Sequence, residues 1–222
     1  MTLLSPNHPW ATTLEEAKAI QDQLRSQVIR QDHLGPVNYV AGTDVGFEED
    51  YTITKAAVVV LRFPSLELVE SQVVRSPTLF PYIPGFLSFR EVPALLRTFE
   101  QLKTLPDLIL CDGQGIAHPR RFGLACHLGV LLDRPTIGVA KSRLIGTHTE
   151  VAPTKGSYTW LYEGEEVVGA VLRSRDQVKP IYVSIGHRIT LPTAMDFVWR
   201  CITKYRLPET TRWADRLASQ TP

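Results

Sequence analysis

The chain has 222 residues, 44% of them hydrophobic, enough to bury one substantial core, so a single domain spanning residues 1–222 is expected. A net charge of +1 carries no overall basic signature, so contact with nucleic acid has to come from local patches. No apolar run approaches the roughly 20 residues that cross a bilayer, and Met1 to Trp10 lack a basic region followed by an apolar core, so the expected location is the cytoplasm, with no membrane partner.

Leu14, Ala17, Ile20, Leu24 and Val28 recur at helical spacing behind two capping boxes, Thr12 with Glu15 or Thr13 with Glu16, so an amphipathic helix opens the chain. Three strand-like stretches follow, Tyr39 to Gly46, Ala56 to Phe63 and Leu68 to Arg75, and their short links imply antiparallel neighbours. A proline-rich loop, Pro77 to Gly85, leads into a helix whose Val92, Leu95, Leu96, Phe99 and Leu102 form one apolar face. Leu108 to Cys111 is continuously apolar and ends at Asp112-Gly113, as a central parallel strand buried on both faces would.

A helix through Leu124 to Leu132 and a strand at Thr136 to Ala140 come next. They are followed by a hairpin around Glu163-Gly164, a strand at Ile181 to Ile185 and a helix from about Thr193 to Tyr205. Three antiparallel strands followed by helix, strand, helix and strand is the order of a ribonuclease-H-like α/β fold. That fold has a mixed sheet, antiparallel strands then parallel ones, flanked by helices. Cys111, Cys126 and Cys201 are scattered among apolar neighbours, which suits reduced core thiols better than disulfides or a zinc site.

Charges placed inside apolar segments point to chemistry. Asp44 interrupts the strand Val40-Ala41-Gly42-Thr43-Asp44-Val45-Gly46-Phe47, where a carboxylate is costly without a partner or a cation. Its glycine neighbours permit close approach by a backbone or a ligand, although an aspartate bonding its own turn is the plainer reading. Asp112 ends the presumed central strand, the edge at which ligands gather in open α/β sheets. If the first strand runs parallel beside it, the two carboxylates face one place and repel unless a divalent ion lies between them.

Glu91 precedes Leu95 by one helical turn and so points toward the core, but Ser88-Phe89-Arg90-Glu91 also matches a capping box. Pro93 disfavours a helix start at Ser88 and favours one near Arg90. Oxygen ligands of this kind suit hydrated magnesium, with manganese able to substitute. Lys141, just beyond Thr136 to Ala140, is placed to orient a water or hold a phosphate, or is a plain surface lysine. Between Ile116 and Thr147 five basic residues, among them Arg120, Arg121 and Arg143, stand against one acid, Asp133, with His118 and His127 nearby. That segment is a candidate phosphate surface or an ordinary solvated face.

Two long motifs resemble the endonuclease V (deoxyinosine 3′ endonuclease) family. They are Pro81-Tyr82-Ile83-Pro84-Gly85-Phe86-Leu87-Ser88-Phe89-Arg90-Glu91 and Asp112-Gly113-Gln114-Gly115-Ile116-Ala117-His118-Pro119-Arg120-Arg121-Phe122-Gly123. Shorter segments, Gly42-Thr43-Asp44-Val45, Thr136 to Ser142, Gly186-His187 and Tyr205 to Glu209, extend the likeness over nearly the whole chain. The resemblance implies that Asp44, Glu91 and Asp112 are catalytic carboxylates and metal ligands. It places Asp215 near the metal, although an Arg212 pair one helical turn away would explain that residue as well.

The same resemblance implies a wedge, Pro81, Tyr82, Ile83 and Pro84, that enters a duplex, with Tyr82 stacking where an altered base was; by itself Tyr82 reads as a packed loop aromatic. A pocket for the flipped base is implied at Tyr82, Gly85, Leu87, Gly113, His118 and Gly123, with Arg90, Arg120, Arg121 and Arg143 neutralising phosphates. The implied activity is hydrolysis of the second phosphodiester bond 3′ to a deaminated base in DNA, by a monomer, leaving a 3′-hydroxyl and a 5′-phosphate. An inosine-directed ribonuclease and a silent binding module are the rivals. Thr210, where the family commonly has proline, and Phe122, in place of leucine, depart from the pattern without touching an acid of the trio.

Overall fold

Eight strands make one sheet in the computed structural model, which describes residues 8–220, so Met1 to Asn7 lie outside the described residues. They are β1 (Tyr39–Glu48), β2 (Ile53–Arg62), β3 (Leu68–Pro77), β4 (Leu108–Cys111), β5 (Thr136–Ala140), β6 (Tyr158–Glu163), β7 (Glu166–Leu172) and β8 (Ile181–His187). Across the sheet they run β3-β2-β1-β4-β5-β8-β7-β6. The first three pair antiparallel, then β4 joins β1 and β5 joins β4 in parallel. The parallel run ends there. β8, β7 and β6 add an antiparallel wing, because the hairpin at Glu163-Gly164, with Gly164 at φ +63°, returns the chain at once.

Among the described residues five α-helices flank the sheet: α1 (Leu14–Leu24), α2 (Leu87–Glu100), α3 (Leu124–Leu132), α4 (Leu191–Arg200) and α5 (Glu209–Ser219). Of the two possible caps for α1, Thr13 with Glu16 forms. Helix α4 starts before the expected Thr193, because Thr190 caps it and Pro192 suits its first turn, and it stops at Arg200 rather than Tyr205. Helix α2 starts at Leu87, earlier than Pro93 led us to expect, and Pro93 sits inside it. Ser88 caps nothing; its hydroxyl is hydrogen-bonded to His127 Nδ1 at 3.0 Å. The capping reading of Glu91 therefore fails.

Strand residues alternate between two buried layers. Ala41, Val58, Val60 and Ile109 pack with Val92, Leu95 and Leu128 of α2 and α3, while Val40, Val59, Leu108 and Leu110 belong to the layer that includes Ala214 of α5. The three cysteines are buried and free, with burial pushing each thiol up to about 12. No helix among the described residues is long and apolar enough to cross a membrane.

Candidate active site

The site is assembled by strand register. The Asp112 amide donates to the Thr43 carbonyl at 3.1 Å, one step beyond the β1–β4 pairing of Thr43 with Cys111, so Asp44 and Asp112 emerge side by side. Gly42, Asp44 and Gly46 share one face of β1, and α5 crosses that face very closely. A Cβ at Gly42 would stand 2.1 Å from the Thr210 carbonyl carbon, and one at Gly46 would stand 2.5 Å from the Ala218 oxygen. The two glycines thus seat α5 directly on β1, which brings Asp215 beside Asp44.

Carboxylate oxygens of Asp44, Asp112 and Asp215 lie within 4.8 Å of one another. Lys141, the residue after β5, places Nζ 2.6 Å from Asp112 Oδ2 and 2.7 Å from Asp215 Oδ1. It is therefore no bystander on the surface. The Arg212 pairing that would have explained Asp215 does not form, because Arg212 bonds Glu209. Glu91, buried on α2, is not among the three residues whose ligand atoms lie within 4.8 Å of one another.

Charge is confined here against its own preference. Burial first, and then Asp112, push the Asp44 carboxyl up to about 7. Burial also raises Asp112, although Lys141 works against the rise. Glu91 stands well above the usual carboxylate range, chiefly from burial and then from Asp44 and Asp112, so it lies within reach of their fields. For Lys141, burial opposes the charge, yet Asp112 and Asp215 hold the ammonium above its ordinary value.

Asp112 Oδ2 is buried, and the Lys141 ammonium 2.6 Å away is its close cationic partner. Three hard carboxylate oxygens gathered this closely, in a site whose burial and mutual repulsion raise Asp44, fit a divalent cation of the oxygen-preferring class.

Beside Asp112 opens a cleft of about 330 Å³, lined by Tyr82, Gly85, Leu87, Gly113, His118 and Gly123, with Ile83 and Pro84 on the same wall. Pro81 lies outside it. Tyr82 is 68% exposed, so it is not a packed loop aromatic. Gly85 has φ +82°, a backbone that favours glycine, and its carbonyl accepts from His118 Nε2 at 2.9 Å, Arg120 at 2.8 Å and Gln21 at 3.0 Å. Burial lowers His118 to about 4, so its ring is neutral, with Nε2–H donating and Nδ1 accepting from the Arg120 amide. His118 thus pins the loop that forms one wall of the cleft. A Cβ at Gly123 would come within 2.4 Å of the Gln114 carbonyl, so only glycine lets those backbones meet.

The expected phosphate contacts fare unevenly. Arg90 is buried, its guanidinium 3.9 Å from the Phe47 ring centre. Arg120 lies over Phe86 at 4.2 Å and bonds Gly85 and Gln21, while Arg121 bonds Glu166 at 2.7 Å and the His118 carbonyl at 2.9 Å. Each of these three cations has partners within the fold, Arg90 buried and Arg120 and Arg121 partly exposed. Arg143 alone of the four is exposed on the cleft rim, without an acidic partner among the described residues.

His127 is also no phosphate ligand. It is fully buried among Trp10, Phe89 and Phe122, and burial lowers it to about 3. Sequence reasoning overlooked Gln114, whose amide nitrogen donates to the Ser142 carbonyl at 2.9 Å while Oε1 stays unpartnered at the cleft wall. Its position between two glycines after an apolar strand was the available signal.

The family model for endonuclease V matches residues 22–216, a span that holds the carboxylates, Lys141 and the Pro81–Pro84 loop. This chain belongs to the endonuclease V family. An endonuclease V of Rippkaea orientalis is 65% identical over 207 residues, 93% of this chain and 90% of the relative. The crystal structure of the endonuclease V from Streptomyces avermitilis is similar with a TM-score of 0.89 at 44% identity, covering 94% of this chain and 92% of that one. An endonuclease V of Ciona intestinalis, in complex with a 24mer DNA containing an inosine followed by a ribo-adenosine, is similar with a TM-score of 0.81 at 31% identity, covering 92% and 95%. The ribonuclease-H-like sheet read from the order of elements is thus the endonuclease V fold.

Proposed function

We propose that this chain is a magnesium-dependent endodeoxyribonuclease. It recognises deaminated bases, above all hypoxanthine in deoxyinosine, and hydrolyses the second phosphodiester bond 3′ to the lesion, leaving a 3′-hydroxyl and a 5′-phosphate. One observation carries the reading: Asp112, whose carboxylate clusters with those of Asp44 and Asp215, also lines a recess that the exposed Tyr82 borders. The inosine-containing DNA bound by the Ciona protein supports the choice of substrate.

When bound by Asp44, Asp112 and Asp215, with Glu91 close by, magnesium or manganese supplies charge neutralisation and Lewis acidity at the phosphodiester. The chain's own residues do the rest. Pro81 to Pro84 form a stiff loop that enters the duplex, and Tyr82 replaces the stacking lost when the base leaves. Backbone at Gly85, Gly113 and Gly123, with Leu87 and the loop-pinning His118, shapes the recess around the base edge. Lys141 holds the scissile phosphate, and Arg143 neutralises a neighbouring one. The enzyme acts as a monomer of one domain in the cytoplasm.

A second reading, cleavage of inosine-containing RNA, draws on the ribo-adenosine that follows inosine in the Ciona complex. The test is cleavage of a hypoxanthine-containing DNA duplex with and without magnesium, beside Asp112→Ala and a matched RNA. Magnesium-dependent cutting of DNA that disappears in the variant while binding persists is the expected result. Undiminished cutting by Asp112→Ala overturns the proposal, and faster cutting of RNA than of DNA favours the second reading.

A further inference from the structure

Tyr82 borders two recesses. One is the cleft beside Asp112; the other is a cup walled by Phe47, Tyr51 and Arg90. Phe47 lies near the end of β1, and Tyr51 sits in the turn to β2, where Glu49, Asp50 and Tyr51 have φ of +49°, +53° and +68°. Bulky side chains seldom take that backbone. Here it leaves Tyr51 69% exposed, its ring centre 6.1 Å from that of Phe47.

Beneath them Arg90 is 6% exposed, with its guanidinium 3.9 Å from the Phe47 centre and 5.6 Å from the Tyr51 centre. Its Nε has no hydrogen-bond partner among the described residues. A buried donor left unpaired is costly, and an acceptor arriving from outside would relieve that cost.

The rim narrows what can enter. Glu49 and Asp50 are exposed on the same turn, and carboxylates there repel a phosphate. A flat uncharged ring with a carbonyl edge meets no such repulsion; it finds aromatic faces to stack on and the Arg90 donor to accept from. The cup is thus suited to a nucleobase rather than to the nucleic-acid backbone.

We propose that the cup formed by Phe47, Tyr51, Tyr82 and Arg90 holds the base of the opposite strand that loses its partner when the altered base enters the cleft beside Asp112. The inference rests on the proposed function. Opening a pair exposes two bases, and stacking the second one offsets part of the unpairing penalty. Tyr82, shared by both walls, then stands between the two halves of the broken pair.

Tyr51→Ala and Tyr51→Phe are compared with the wild type on a hypoxanthine-containing duplex and on the same strand alone, with thermal unfolding run on each protein to verify folding. Tyr51→Ala should bind and cut the duplex roughly tenfold to a hundredfold more weakly, the worth of one base stacked on one ring. It should match the wild type on the single strand, and Tyr51→Phe should match it on both. An abasic site opposite the lesion should erase the difference between Tyr51→Ala and wild type. Equal loss on the single strand, or no loss on the duplex, overturns the assignment. Failure of the wild type to cut either substrate defeats the parent function instead.

Discussion

Gly42→Ala tests how the site is built without touching a charged group. The added Cβ would stand 2.1 Å from the Thr210 carbonyl carbon and oxygen, which are main-chain atoms and cannot rotate aside. Comfortable carbon contacts begin at about 3.5 Å, so α5 has to retreat by about 1.4 Å. Magnesium holds its oxygens at about 2.0–2.1 Å with little tolerance, so an Asp215 carried that far leaves the shared site.

Overpacking of this kind costs about 1–3 kcal/mol, which lowers Tm by about 2–4 °C per kcal/mol in a chain of this size. Cutting of the hypoxanthine duplex should fall at least about tenfold, comparable to Asp215→Ala, because both changes remove the same carboxylate from the cluster. Gly35→Ala, whose Cβ would meet nothing within 4 Å, is the control. The double variant Gly42→Ala with Asp215→Ala should lose little more than either alone. Full activity in a destabilised Gly42→Ala, or losses that multiply in the double variant, would refute the argument that these glycines act by seating Asp215.

Lys141→Met removes the cation that bridges Asp112 and Asp215, so manganese should bind at least as tightly as in the wild type while cutting falls roughly a hundredfold; proportional loss of both counts against a role at the phosphate. His127 has its folded value lowered to about 3, so between pH 6.5 and 3 the unfolded chain takes up a proton that the folded one refuses, and stability falls with pH. At pH 5 this amounts to about 2 kcal/mol relative to pH 8, and denaturant titrations of His127→Phe should show a pH 8-to-5 loss smaller by that amount; an unchanged loss contradicts the neutral buried ring. Arg143→Ala should reduce the slope of log affinity against log salt by about 1, whereas Arg121→Ala should lower stability and leave the slope alone; the reverse pattern would restore Arg121 as a phosphate contact.

Asp44 within β1 and Asp112 just beyond β4 were legible because a charge among apolar residues has few explanations: each breaks an apolar run, and parallel pairing of their strands brings them together. Helix α5 was not set out as an element in its own right, and its contact with β1 was not legible. Because Gly42 and Gly46 draw its backbone onto the strand, the residues it buries, Glu209, Thr210, Thr211, Ala214 and Ala218, are small or polar, with Trp213 and Leu217 packed beside them. The helical stripe Trp213, Ala214, Leu217 and Ala218 was the signal available for the helix that carries Asp215.

The surroundings of the arginines were not legible for a different reason. Composition counts positive charge, but it is the fold that pairs Arg121 with Glu166 and lays Arg90 on Phe47. Ser88-Phe89-Arg90-Glu91 matched a capping pattern locally, yet the Ser88 hydroxyl was claimed by His127, a residue distant in the chain.

The central claim, that Asp44 and Asp112 share one divalent ion, is tested most directly by titrating manganese into the protein without DNA and following the free ion by electron paramagnetic resonance. Wild type should bind manganese in competition with magnesium, and Asp44→Asn and Asp112→Asn should each abolish that binding while the protein stays folded. Undiminished manganese binding by both variants would contradict the account.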